Sequence, residues 1–200
     1  DNQGFLLSDT TSISNGIRLY GGGEYVSIAD SEALSFGDGT DDKPFSIEAW
    51  IKTDDVTDFE IVSKGVYSTS GEYRFLISSN DSLYLSLYNG NDSLYEIAYT
   101  SSALTSHEGQ WTHVACTYNG VGDTSANAGI KLYVNGVSQS LTLIGYGSYD
   151  AMENLSTSVM IGRHSSAYSS GLIDEVRIYS KELSASEITK NYNNGKSAHQ

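Results

Sequence analysis

One cysteine, one proline and eleven basic residues among 200 set the first limits on this chain. Cys116 has no second thiol to pair with, so no internal disulfide framework exists. That agrees with a bacterial exterior or a virion better than with an animal secreted module. Cys116 alternates with Val114 in an apolar strand pattern, which reads as a buried, inert thiol. No apolar run approaches the ~18 residues a spanning helix needs, which excludes a membrane-spanning helix. Eleven cations face 25 anions, a net charge of −14. Nucleic acid is excluded as a partner because it demands a basic surface, and a polyanion is disfavoured unless a metal intervenes. His/Cys spacing for zinc is absent, as is a G-x-S-x-G nucleophile motif. The chain begins at Asp1 without a leader pattern and reads as a mature or excised piece, so that absence says nothing about export.

What is present is tyrosine (15), glycine (20) and many Ser, Thr, Val and Ile, the composition of strands joined by tight turns. Alternation of period two recurs. Phe45, Ile47, Ala49 and Ile51 oppose Ser46, Glu48, Trp50 and Lys52. Tyr73, Phe75 and Ile77 oppose Arg74, Leu76 and Ser78. Leu83, Leu85 and Leu87 oppose Tyr84, Ser86 and Tyr88. One face packs and the other is wet, as in an antiparallel sandwich. Asn89-Gly90, Asn119-Gly120 and Asn135-Gly136 mark turns, and Leu132–Val137 is the clearest hairpin. In 171–179, Ile173, Glu175, Arg177 and Tyr179 alternate with Leu172, Asp174, Val176 and Ile178. Ser184 and Glu187 then form a capping box that opens a helix of one or two turns. Long loops are expected over Gly37–Lys43, about Gly145–Leu155 and Gly162–Gly171. The expected fold class is all-β: one domain over 1–200, core about 17–192, an antiparallel two-sheet β-sandwich with a short C-terminal helix.

Five segments carry a family resemblance in order: RLYGGGEYV (18–26), PFSIEAWIK (44–52), GQWTHVACTYNG (109–120), KLYVNG (131–136) and GLIDEVRIYSKELSASEITKNY (171–192). Together they resemble the laminin-G-like, concanavalin A-like jelly-roll domains. The resemblance implies a structural Ca²⁺ that links the N-terminal turn to the strand carrying Asp174. Gly21 stands where that pattern often has an acidic or amide residue. Calcium takes six to eight oxygens, and Asp30, Asp38, Asp41 and Asp174 are the candidate ligands, with Asp42 beside them; solvated turn aspartates are the alternative.

For catalysis, glycoside hydrolysis needs two facing carboxylates, and no strand run of type E-x-D-x-E exists; Asp58-Phe59-Glu60 lacks the third acid. His113, inside a strand near Trp111, reads as structural, and no catalytic residue is assigned. Carbohydrate binding needs an aromatic platform with neighbouring polar groups. Trp50 and Trp111 occupy fold landmarks and read as packing residues. The expected ligand site lies in loops: Tyr146, Tyr149, Asp150, Arg163, His164 and Tyr168. The expected function is non-catalytic, lectin-like binding of a polysaccharide or glycan by a module of an extracellular, cell-surface or virion protein. The alternatives are a structural or adhesion domain with a protein partner, and a polysaccharide lyase or hydrolase on the same fold.

Overall fold

Period-two burial builds two antiparallel sheets. The computed structural model describes residues 16–65, 70–90 and 94–199. The strands are β1 (Ile17–Tyr20), β2 (Val26–Ile28), β3 (Phe45–Thr53), β4 (Phe59–Lys64), β5 (Tyr73–Ile77), β6 (Leu83–Tyr88), β7 (Tyr95–Thr100), β8 (Thr112–Tyr118), β9 (Ile130–Val134), β10 (Val137–Ser138), β11 (Leu141–Tyr146), β12 (Val159–Ile161), β13 (Arg163–His164), β14 (Ala167–Tyr168) and β15 (Ser170–Tyr179), followed by helix α1 (Ala185–His199). One sheet runs β1-β15-β3-β8-β9-β10 and the other β11-β7-β6-β5-β4-β12-β2; β13 and β14 form a separate hairpin. This is the expected jelly-roll sandwich. Among the described residues no helix is long and apolar enough to cross a membrane.

Between the sheets, Phe45, Ile47, Ala49 and Ile51 of β3 and Val114, Cys116 and Tyr118 of β8 meet Tyr73, Phe75 and Ile77 of β5 and Leu83, Leu85 and Leu87 of β6. Cys116 is fully buried, and burial pushes its thiol pKa up, so it is inert. The β9–β10 hairpin turns at Asn135 and Gly136, both at positive φ (50° and 76°), as its Asn-Gly pair demands.

Four sequence expectations are corrected. A bulge between Asp174 and Arg177, with Glu175 at φ 47°, shifts the phase of β15. Ile173 therefore joins Val176 and Ile178 in the core, while Arg177 and Tyr179 turn outward to Glu48. The helix has 15 residues rather than one or two turns. Its capping box forms as expected: Ser184 N–H donates to Glu187 Oε2 (2.8 Å) and Glu187 N–H to Ser184 Oγ (3.3 Å). The loop expected from Gly145 begins two residues later, because β11 pairs with β7 through Tyr146. The third expected loop contains the β13–β14 hairpin and the start of β15.

Helix α1 covers the outer face of the six-stranded sheet. Ile188 packs with Ala115, Tyr133 and Leu183. The Trp50 ring lies flat against His199 (4.3 Å, 3°) and stacks on Tyr192 (5.7 Å, 26°). Among the described residues no helix lies over the outer face of the seven-stranded sheet. The β13–β14 hairpin packs over it at β4, where Ser63 Oγ donates to the Arg163 carbonyl and Ser169 Oγ to that of Glu60 (both 2.8 Å).

Candidate functional site

Residues directly opposite one another in an antiparallel pair share a face. The register therefore fixes what the open face presents. One row is Tyr146–Tyr95–Tyr88. The next is Ile144–Ile97–Ser86–Arg74–Ser63. The third is Thr142–Tyr99–Tyr84–Leu76–Glu60. Five tyrosines from three neighbouring strands thus share one surface of roughly 10 by 13 Å, given strand spacing and rise. They are ordered against each other. Tyr84 and Tyr99 are parallel at 4.6 Å, Tyr95 and Tyr146 stack at 5.5 Å, and Tyr88 meets Tyr95 edge-on at 6.3 Å. Asn80 Nδ2 donates to the Tyr84 hydroxyl (2.9 Å) and fixes its direction. Tyr146 is 60 % exposed and Ile144 42 %, while Tyr88 forms the floor.

A polar pair sits at one side of this face. Arg74 clamps Glu60 through two hydrogen bonds, one of them Nε to Oε2 at 3.0 Å. Burial raises the pKa of Glu60, and the bonds and charge of Arg74 hold it back. Glu60 is the one carboxylate in the three rows. Over Arg74 lies His164 on the underside of the hairpin. Burial first, and the Arg74 charge second, lower its pKa to about 4, so the imidazole is neutral at pH 7.

The expected ligand residues are scattered by this geometry. Tyr146 is on the tyrosine face. Arg163 and Tyr168 are cross-strand partners on the hairpin, and His164 turns beneath it. From β11 to β4 is four strand steps, roughly 19 Å. Asp150 is exposed beside Asp123, whose N–H donates to its carbonyl (2.7 Å). Tyr149 is corrected from a loop platform to a core residue, 0 % exposed. Its hydroxyl and that of Tyr118 donate to Asp42 Oδ2 (2.8 and 2.6 Å), and Met152 N–H donates to Oδ1 (2.8 Å). The ring is spent on packing and offers no surface to a sugar. Tyr95 and Tyr99 were missed, although the alternation of Tyr95, Ile97 and Tyr99 in YEIAYT carries the signal.

The candidate cation ligands are not gathered into one site. Asp38 accepts the Thr40 and Asp41 amides (3.0 and 2.9 Å) and closes its own turn, with Asp41 on the surface. Asp42 holds the two tyrosines. Asp174 faces His199 (3.2 Å). Asp30 faces the buried Lys64 ammonium (2.6 Å), which also reaches Glu72 (3.0 Å) and the carbonyls of Leu155 (2.9 Å) and Thr157 (2.8 Å). Two carboxylates and two carbonyls are a calcium-type donor set, but a lysine nitrogen stands at its centre. Among the described residues no three His, Cys, Asp or Glu groups come together as a metal site. These aspartates do not fit the structural Ca²⁺ that the resemblance implied.

A two-sheet jelly roll with one face under a helix and the other open defines a concanavalin A-like sandwich. The chain belongs to the concanavalin A-like lectin/glucanase superfamily, whose laminin-G model matches residues 20–189. Its fold is similar to the botulinum neurotoxin serotype G binding domain (16 % identity, TM-score 0.58, 98 % of this chain and 47 % of that one). It is also similar to the receptor binding domain of botulinum neurotoxin D (18 %, 0.63, 97 % and 48 %) and to a binding domain of neurotoxin DC in complex with SialylT (19 %, 0.58, 88 % and 41 %). The chain spans less than half of each of these structures. No curated protein matches it.

Proposed function

We propose that this chain is a non-catalytic, lectin-like carbohydrate-binding module of an extracellular, cell-surface or virion protein, and that its ligand lies on the open tyrosine face. The observation that carries this reading is the set of five tyrosines, packed as a pair and a trio, on the sheet face that no helix of the described residues covers. Sugar rings expose C–H faces that rest on aromatic rings, while nearby polar groups set orientation. Here the half-buried Arg74 and the exposed Thr142 supply polar groups on the same face. The rings are already ordered, so little side-chain entropy is lost on binding. A lone carboxylate locked to an arginine does not make the acid–base pair that glycoside hydrolysis uses. Binding is metal-independent in this reading, because Asp30, Asp38, Asp42 and Asp174 already have protein partners.

The test is a glycan array followed by titration calorimetry with the best polysaccharide, with and without chelator. Tyr99→Ala and Tyr95→Ala each weaken binding about tenfold, the equivalent of 1.4 kcal/mol, and chelator changes nothing. No binding to any glycan by the folded protein would remove the reading. A protein partner, as in an adhesion domain, is favoured by one specific feature: β11 is an edge strand with exposed, uncharged Leu143, Ile144 and Tyr146.

A further inference from the structure

We propose that Arg163, held against the touching rings of Tyr25 and Tyr168, anchors a carboxylate-bearing sugar residue, a uronate or a sialate, at a subsite apart from the tyrosine face. The chain has four arginines. Arg18 is forked onto Asp54 (3.0 and 2.5 Å), Arg74 is clamped to Glu60, and Arg177 meets Glu48 (3.1 Å) and Glu175 (2.7 Å). Arg163 has no carboxylate partner among the described residues. In a chain with 25 acids and 11 bases, an arginine without an acid is the exception.

Its position is built rather than loose. The guanidinium carbon lies 4.5 Å from the Tyr25 ring centroid and 5.2 Å from that of Tyr168. Nε donates to the Ser165 carbonyl (2.8 Å), which fixes the plane of the group. The two terminal nitrogens, with their parallel N–H bonds, have no acceptor among the described residues. That fork matches a carboxylate, and holding it in advance lowers the entropy lost on binding. The base is anchored as well: Ser63 Oγ donates to the Arg163 carbonyl (2.8 Å), and Gly21 N–H to that of Ser169 (3.0 Å). Beside the fork, Tyr25 is 40 % exposed, aromatic surface for the pyranose C–H face. Glu24, next to Tyr25 in the chain, is folded back onto the Tyr20 and Gly22 amides (3.3 and 3.2 Å). The net charge of −14 repels a long polyanion, so the fitting ligand carries an isolated carboxylate on an otherwise neutral glycan.

The inference rests on the reading of the chain as a glycan-binding module, but on residues other than the tyrosine face. The test titrates sialyllactose against lactose, and a neutral oligosaccharide ending in a single glucuronate against its carboxyl-reduced form, using wild type, Arg163→Gln, Arg163→Lys and Tyr99→Ala. The wild type prefers one acidic member over its neutral counterpart by roughly tenfold or more, as a charge-assisted fork allows; which pair responds tells sialate from uronate. Arg163→Gln erases that preference, Arg163→Lys recovers only part of it, and Tyr99→Ala leaves it in place. Neutral glycans bound with no acid preference, or a preference that survives Arg163→Gln, overturn the anchor while sparing the wider reading. Failure of every glycan to bind overturns both.

Discussion

At the scale of residues, Asp42 and His164 show how burial sets chemistry. Asp42 satisfies two tyrosine hydroxyls and a backbone amide, and its own pKa is raised because burial outweighs those bonds. Asp42→Ala strands three buried donors at once. The expected loss is about 3 kcal/mol, a fall in Tm of roughly 6–12 °C for a chain of this size. A calorimetric scan checks it, and an unchanged midpoint would contradict the packing described for Tyr149. His164 carries a pH signature. Its folded pKa is about 4 because burial and Arg74 disfavour the charged form. The unfolded chain takes up that proton near pH 6.5, and the folded chain only near pH 4. Stability from this group is therefore complete above pH 6.5 and is lost as pH falls toward 4, by roughly 3 kcal/mol. Urea unfolding as a function of pH measures it. His164→Gln flattens that slope, whereas parallel curves for the two proteins would refute the assignment.

At the scale of elements, helix α1 depends on a glycine where helices ordinarily avoid one. A Cβ on Gly195 would lie 2.4 Å from Trp50 Nε1. Gly→Ala in an exposed helix interior stabilises by about 1 kcal/mol. Here the clash reverses the sign, and Gly195→Ala costs about 1–3 kcal/mol. The buried Trp50 then reports through a red-shifted fluorescence spectrum; a stabilised variant with unchanged emission would show that the helix does not seat on that ring. The same helix explains what the sequence disclosed. Its start was legible because Ser184 and Glu187 form a local, side-chain-to-backbone device. Its length was not, because the sheet-facing stripe Ile188–Tyr192–Gly195–His199 is spaced correctly but is mostly not aliphatic. Strands β3, β5 and β6 were legible from alternation alone. The phase of β15 was not, since a bulge at Glu175 leaves no compositional mark. The tyrosine face was half legible: Tyr84 and Tyr88 stood opposite an apolar face, but their meeting with Tyr95, Tyr99 and Tyr146 depends on strand order. Tyr149 looked like a loop tyrosine because its partner, Asp42, is 107 residues away.

At the scale of the whole molecule, the two outer faces are treated differently. One buries Trp50 and Ile188 beneath α1; the other carries four ordered tyrosines that reach solvent, with the buried Tyr88 beneath them, bounded by the hairpin that carries Arg163. That asymmetry is the basis for assigning recognition to the seven-stranded sheet. The measurement that tests it most directly is calorimetric titration of wild type and Tyr99→Ala with the glycan selected by the array, alongside melting curves of both proteins. The account predicts about tenfold weaker binding by the variant with a Tm within a few degrees of wild type. Equal affinity in the two proteins would contradict it, and would place the ligand elsewhere than on the tyrosine face.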